Sequence, residues 1–167
     1  MTYKLQQTKQ NDKMNIDNKD KIDNKDKAIL NVLLENGRLS FREIAKKIGV
    51  STATVMHRVH ALEKEKIIDR YSAQLDYEKL GYDITIIVEM QVSKGKLEQV
   101  ERKIALHPNV VAVYDVTGAF DVVIIAKFKN RKLMDAFLKH IQTYDFVLRT
   151  NTQLVLKTMK ERQIAVQ

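Results

Sequence analysis

Apolar residues recur at helical spacing in the first part of the chain and alternate with polar ones in the second. Ala28, Ile29, Val32 and Leu33 share one helical face, which Asp23 or Asn24 can cap and Gly37 follows. Ser40 and Glu43 then spell a capping box, S-x-x-E, ahead of Ile44, Ala45 and Ile48. Gly49 ends that helix, Val50 plugs the turn, and Ser51 caps another helix whose inner stripe is Val55, Val59 and Leu62. Small Ala45 allows a close crossing. Two short helices joined in this way predict a helix-turn-helix, whose second helix enters the DNA major groove. Ile67-Ile68 and Arg70–Leu75 read as extended, a short wing or interdomain strand, and Leu80-Gly81 marks a boundary.

From Tyr82 the period changes to two. Ile84, Ile86, Val88, Met90 and Val92 alternate with Thr85, Ile87, Glu89 and Gln91, predicting a strand. Lys94-Gly95 leads into a helix with Leu97, Val100 and Ile104 inward, stopped at His107-Pro108-Asn109. Val110–Thr117 and Asp121–Phe128 read as strands around a Gly118-Ala119 turn. Asn130 caps a helix with Leu133, Phe137 and Ile141 on one stripe, and Val147–Leu156 is the last strand. The order β-α-β-β-α-β is the ferredoxin-like plan, so the fold class is α+β: a winged helix-turn-helix followed by a ferredoxin-like domain. Two helices cover one face of such a sheet. Ile87 and Ile125 on the other face need cover, which a second copy of the sheet supplies most economically, so the chain should dimerise.

Four segments result: a polar tail over 1–21, a helix-turn-helix domain over 22–66, a wing or linker over 67–81, and a β-α-β-β-α-β domain over 82–167. The tail has too few apolar residues to pack and should be disordered. Ile16–Lys21 and Ile22–Lys27 repeat one hexapeptide, I-D-N-K-D-K, either as a local duplication or as part of an arm that touches phosphates weakly. The net charge of +8 suits a polyanionic partner without proving one. Zero cysteine removes disulfides, thiolate catalysis and cysteine-bound zinc. His57, His60, His107 and His140 lack metal-ligand spacing, and no cofactor is implied. No run approaches the roughly 18 apolar residues of a membrane span, and no apolar signal core opens the chain, so a cytoplasmic protein is expected.

On the recognition helix, Ala53, His57 and His60 point away from the inner stripe, with Thr54 beside them. Ser51, Thr52 and Thr54 can reach phosphates or base edges, where free helix N–H groups also favour phosphate. His57 and His60 are either donors to guanine and phosphate oxygens or solvated surface side chains. Arg58 lies at the flank, suited to a phosphate or to an ion pair with a first-helix carboxylate.

The whole stretch from Ile22 to about Lys160 resembles the Lrp/AsnC (feast/famine) family of transcription regulators. The matching residues are Ile22-Asp23, Asp26 and Ile29-Leu30; Asn36-Gly37-Arg38-Leu39-Ser40, Glu43-Ile44-Ala45, Gly49-Val50-Ser51 and Val55; and Arg58-Val59, Leu62-Glu63, Ile68 and Tyr71. Thr117-Gly118-Ala119-Phe120-Asp121 resembles the family's G-x-F/Y-D loop, and Thr150, Thr152 and Val155-Leu156 its last strand. Lys66 and Phe146 depart from it, each standing where the family usually has Gly. The resemblance implies a DNA-binding regulator with a RAM-type effector domain, dimers assembling into tetramers or octamers, and an amino acid bound near the G-x-F/Y-D loop. Asp121 would then meet the effector's ammonium, while the N–H groups of Thr117–Asp121 with Thr150 and Thr152 meet its carboxylate. A plain turn explains Gly118 equally and Asp121 less well. Siroheme decarboxylases resemble the same architecture, so an enzyme is the rival class, although no nucleophile–base pair is apparent. A co-regulator without its own operator is a third possibility.

Overall fold

The computed structural model of the protein describes residues 22–93, 95 and 97–167. The polar tail and Lys94 of the expected turn lie outside them. The chain forms two compact units, one running to Ala73 and taking in Arg162–Gln167, the other spanning Gln74–Glu161.

The first unit holds helices α1 (Asn24–Glu35), α2 (Phe41–Ile48) and α3 (Thr52–Lys64). Asp23, Ser40 and Ser51 are their N-caps, and the first two close reciprocal capping boxes with Asp26 and Glu43. Ile29, Ile44, Ala45, Val55 and Val59 form the core, with Val32, Leu39, Phe41 and Ile68 packed around them. Each fully buried Ile contributes about 1.5–3 kcal/mol. Gly49 turns the chain at φ +73°. The end of α3 is a Schellman motif: Ile67 N–H donates to the Leu62 carbonyl at 2.9 Å and Lys66 N–H to that of Glu63 at 3.1 Å. Lys66 occupies its left-handed position at φ +60°.

Two features of this unit differ from expectation. The stretch 67–81 contains no strand among the described residues, only a turn near Tyr77–Gly81. An extended segment becomes a strand through ladder bonds to a neighbour, and Asp69–Asp76 make no backbone–backbone bond to described residues. The expected wing strand is therefore not formed among the described residues. Also, the last six residues do not stay with the sheet: Asn31 on α1 donates to the Val166 carbonyl at 2.9 Å and accepts from its N–H at 2.7 Å. A side-chain amide with both donor and acceptor satisfies one peptide unit at two points.

The second unit contains β1 (Ile84–Val92), α4 (Leu97–Ala105), β2 (Val110–Asp115), β3 (Val122–Phe128), α5 (Arg131–Gln142) and β4 (Val147–Leu154). The sheet order is β2-β3-β1-β4, antiparallel throughout. Ile86, Val88, Met90, Ile124, Phe128 and Val100 lie in its core. Leu133, expected inward, is 46% exposed; Met134 and Leu138 flank Phe137 and Ile141 instead, one helical position round from the expected stripe. On the far sheet face Ile87 stands directly opposite Ile125, both half-buried. That face is not wholly bare. Lys127 is only 6% exposed, its Nζ 2.9 Å from the Glu161 carboxylate and 5.6 Å from the Tyr77 ring centre. Among the described residues, no helix is long and apolar enough to cross a membrane.

Candidate nucleic-acid interface and effector loop

Helix α3 buries Val55, Val59 and Leu62 and thereby exposes the opposite side. Ser51, Thr52, Ala53, His57 and His60 are exposed and Thr54 is half-exposed. The Ser51 hydroxyl accepts from the Thr54 N–H at 3.1 Å and pairs with the Thr54 hydroxyl at 2.8 Å. Cap and first-turn hydroxyls are thus fixed to one another beside the helix start, where backbone N–H groups and the helix dipole attract an anion. His60 is partly anchored, its ring edge-on to Phe41 at 5.9 Å. His57 has no such partner among the described residues.

Met56 is the member of this surface that sequence reasoning passed over. It is 45% exposed between Ala53 and His57, apolar on a polar face, and can lie against a thymine methyl. Its excess of apolar exposure was the available signal.

Of the alternatives for Arg58, the internal ion pair is the one formed. Its guanidinium lies 2.8 Å from Asp23 and 2.9 Å from Asp26. Asp26 is nearly buried, so this charge is compensated where desolvation matters most. Arg58, counted among the DNA-facing residues, instead turns toward α1 because two carboxylates already converge there. The hydrogen bonds to Asp26, opposed by burial and joined by Asp23, hold the guanidinium above its usual range. Asp23 is held below the carboxylate range, first by the Asp26 N–H and further by Arg58.

The loop Thr117–Asp121 joins β2 to β3. Gly118 adopts φ +127°, which favours glycine. Asp121 is tied to β1 twice: its N–H donates to the Met90 carbonyl at 2.9 Å, and its carboxylate accepts from the Val92 N–H at 2.8 Å. The ladder shifts register at Gln91/Val92, and the carboxylate satisfies the donor at that irregularity. This gives Asp121 the structural role that a turn alone did not provide.

Thr150 faces Met90 across the β1–β4 ladder, and Thr152 faces Val88, about 7 Å further from the loop. Thr150 also receives a long hydrogen bond from Gln142 at 3.5 Å. Phe120 lies under the Arg149 guanidinium, 5.7 Å from ring centre to cation. Arg149 brings a carboxylate-binding group to the loop that no spacing revealed, because its position depends on its pairing with Gln91 across the β1–β4 ladder. Phe146 stacks on Tyr144 at 5.3 Å, and its carbonyl accepts from the Ser93 N–H, so this departure from Gly serves packing.

An exposed, capped recognition helix together with a four-stranded α+β unit defines a helix-turn-helix DNA-binding regulator. Residues 22–63 match the AsnC-type helix-turn-helix domain, and residues 85–165 match the Lrp/AsnC ligand binding domain. The chain is 42% identical over 135 residues to an uncharacterized HTH-type transcriptional regulator of Pyrococcus abyssi, covering 81% of this chain and 92% of that one. The fold matches E. coli AsnC with a TM-score of 0.80 at 28% identity, over 87% of this chain and 99% of AsnC. A transcriptional regulator of Neisseria meningitidis in complex with L-Met matches with a TM-score of 0.79 at 24% identity, over 87% and 96%. The chain belongs to the Lrp/AsnC family of transcription regulators.

Proposed function

We propose that the protein acts in the cytoplasm as a homodimeric, sequence-specific regulator, with α3 in the major groove of a pseudo-palindromic site. The observation that carries this is the outer face of α3. Thr52, Ala53, Thr54, Met56 and His57 form a mixed polar and apolar reading surface on a helix whose buried stripe and Arg58 clamp fix its roll. In this reading Ser51 positions the first turn and receives phosphate, and His60 contacts the backbone at the margin. Exchanging Thr54 and His57 together for Ala should relax sequence preference, at about 1–3 kcal/mol for each lost base contact. Selection from a random DNA pool tests it; recovery of the wild-type motif at wild-type affinity would refute the assignment.

The effector reading rests on Asp121, Phe120 and Arg149 around the Thr117–Asp121 loop. A carboxylate in the loop and a guanidinium on β4 stacked over the loop's Phe120 suit a zwitterion, Asp121 meeting the ammonium and Arg149 the carboxylate. The Neisseria relative's complex with L-Met supports an amino acid as the class of effector. Binding there favours tetramers or octamers over dimers, and so changes how many half-sites are held together.

A further inference from the structure

We propose that a second ligand site lies between the C-terminal ends of α4 and α5, where a small carboxylate with a short hydrocarbon body and no ammonium group binds. The groove has a volume of about 220 Å³, room for roughly seven waters at about 30 Å³ each. Ile104, Phe137 and Ile141, all buried, make its floor. Lys103, His107, His140 and Tyr144 are its titratable groups, and no Asp or Glu lines it.

Basic residues at helix C-termini ordinarily serve the helix dipole. Here four of the nearby carbonyls already accept hydrogen bonds. Ile104 accepts from the His107 N–H at 3.0 Å, His107 from Val110 at 2.9 Å, and Tyr144 from Val147 at 2.9 Å. His140 accepts from the Thr143 N–H at 3.1 Å and its hydroxyl at 2.7 Å. The basic side chains therefore line the groove with no carboxylate beside them among the described residues. Lys103 forms no ion pair among the described residues and sits 5.4 Å from the Tyr144 ring centre.

The donors are set by the local bonds. His107 accepts from the Asn109 N–H through Nδ1 at 3.2 Å, which leaves the proton of its neutral ring on Nε2. His140 Nε2 lies 3.1 Å from the Tyr144 hydroxyl. Burial, and then the charge of His140, hold His107 below the ordinary histidine range. An anion between them reverses the second effect. Lys103 and the two imidazoles can share one carboxylate, while the apolar floor takes a hydrocarbon body that inorganic phosphate lacks. An amino acid brings an ammonium into a rim with no anion to meet it, and is rejected. The site is separate from the Thr117–Asp121 loop and does not depend on it.

The test uses the full chain, following its histidine ring resonances by NMR while 4-methyl-2-oxopentanoate, leucine or inorganic phosphate is added. The oxo acid should shift the His107 and His140 signals saturably, bind more tightly at about pH 6 than at about pH 8, and raise the pH at which His107 titrates. Lys103→Gln, a surface change, should weaken binding about tenfold through loss of a charge-assisted contact. Asp121→Asn should leave the shifts intact. No saturable shift, an equal response to leucine or phosphate, full binding by Lys103→Gln, or loss of the shifts in Asp121→Asn would each overturn the proposal.

Discussion

Arg58, midway along the recognition helix, donates to Asp26 of α1 at 2.9 Å across 32 residues of sequence. The same nitrogen lies 2.8 Å from Asp23, the N-cap of α1. One cation thus joins the start of the first helix to the middle of α3, the helix proposed to read DNA, beside Thr54 and His57. Arg58→Met keeps the stem but leaves two unpaired carboxylates, one nearly buried. It should lower the stability of this unit by about 2 kcal/mol, between the values for exposed and buried pairs. A positioning role predicts weaker DNA binding with an unchanged salt dependence. A salt slope reduced by about one would identify a phosphate contact instead.

The caps make the same unit sensitive to acid. Asp23 is held low by the Asp26 N–H and Arg58, and Glu43 by the Ser40 hydroxyl and N–H. A depressed carboxyl stabilises the fold above its unfolded value of about 4 and loses that contribution as pH falls through the folded value. Replacing Asp23 with Asn should flatten the fall in melting temperature below about pH 4. At the alkaline end Tyr71, pushed up to about 12 by burial and its bond to Glu63, contributes stability that disappears as pH rises past the unfolded value toward that number. Glu63→Gln should let Tyr71 ionise earlier in a spectrophotometric titration.

Lys66 holds φ +60° inside the Schellman motif that ends α3. A left-handed non-glycine residue costs about 1–2 kcal/mol. Glycine would relieve this but loses about 0.5–1 kcal/mol more backbone freedom on folding. The strain term is the larger, so Lys66→Gly should stabilise by about 0.5–1 kcal/mol. Denaturant unfolding showing a loss would mean that contacts of the lysine side chain outweigh the strain.

Regularly spaced features were legible in the sequence: the Ser40/Glu43 capping box, Gly49, the Val55/Val59/Leu62 stripe and the β-α-β-β-α-β element order all follow from local periodicity and cap chemistry. What the sequence concealed depends on distant partners. The Asn31–Val166 clamp spans 135 residues, and nothing in the composition of Arg162–Gln167 announces it. Arg70–Leu75 reads as extended, yet it finds no ladder neighbour among the described residues, and extension alone does not make a strand. Arg149 reaches Phe120 only because the β1–β4 ladder pairs it with Gln91, at the end of β1 to which Asp121 is tied. Leu133 reads as inward by its three-and-four spacing, yet it sits in the first turn of α5, where Met134 takes the inward position.

Ile87 and Ile125 face one another at the centre of the sheet surface that the helices leave open. Lys127 and its partners Glu161 and Tyr77 already occupy part of that surface, so the copy expected against it should centre on the isoleucine pair. Ile87→Lys would put an uncompensated charge there, at a cost of about 3–5 kcal/mol once buried in the assembly. Sedimentation should then show monomers at concentrations where the unchanged chain is dimeric. An unaffected dimer would move the interface elsewhere.

The effector reading depends on separating two tasks of Asp121. Its carboxylate supports β1 by accepting the Val92 N–H at 2.8 Å, and in the proposed complex its charge meets an ammonium. Alanine removes both: the Val92 donor is orphaned, for about 1–3 kcal/mol, and any lost response becomes ambiguous. Asparagine retains an oxygen for Val92 and removes only the charge. Asp121→Asn should therefore unfold near the wild-type temperature, keep its dimer, and fail to change oligomer size with any amino acid. Arg149→Met should impair the same response through the carboxylate end, because a guanidinium offers a paired contact that methionine cannot. The calorimetric response of the unchanged chain to the common amino acids supplies the reference. If Asp121→Asn responds as fully as the unchanged chain, the ammonium partner lies elsewhere and Asp121 is a clamp on β1.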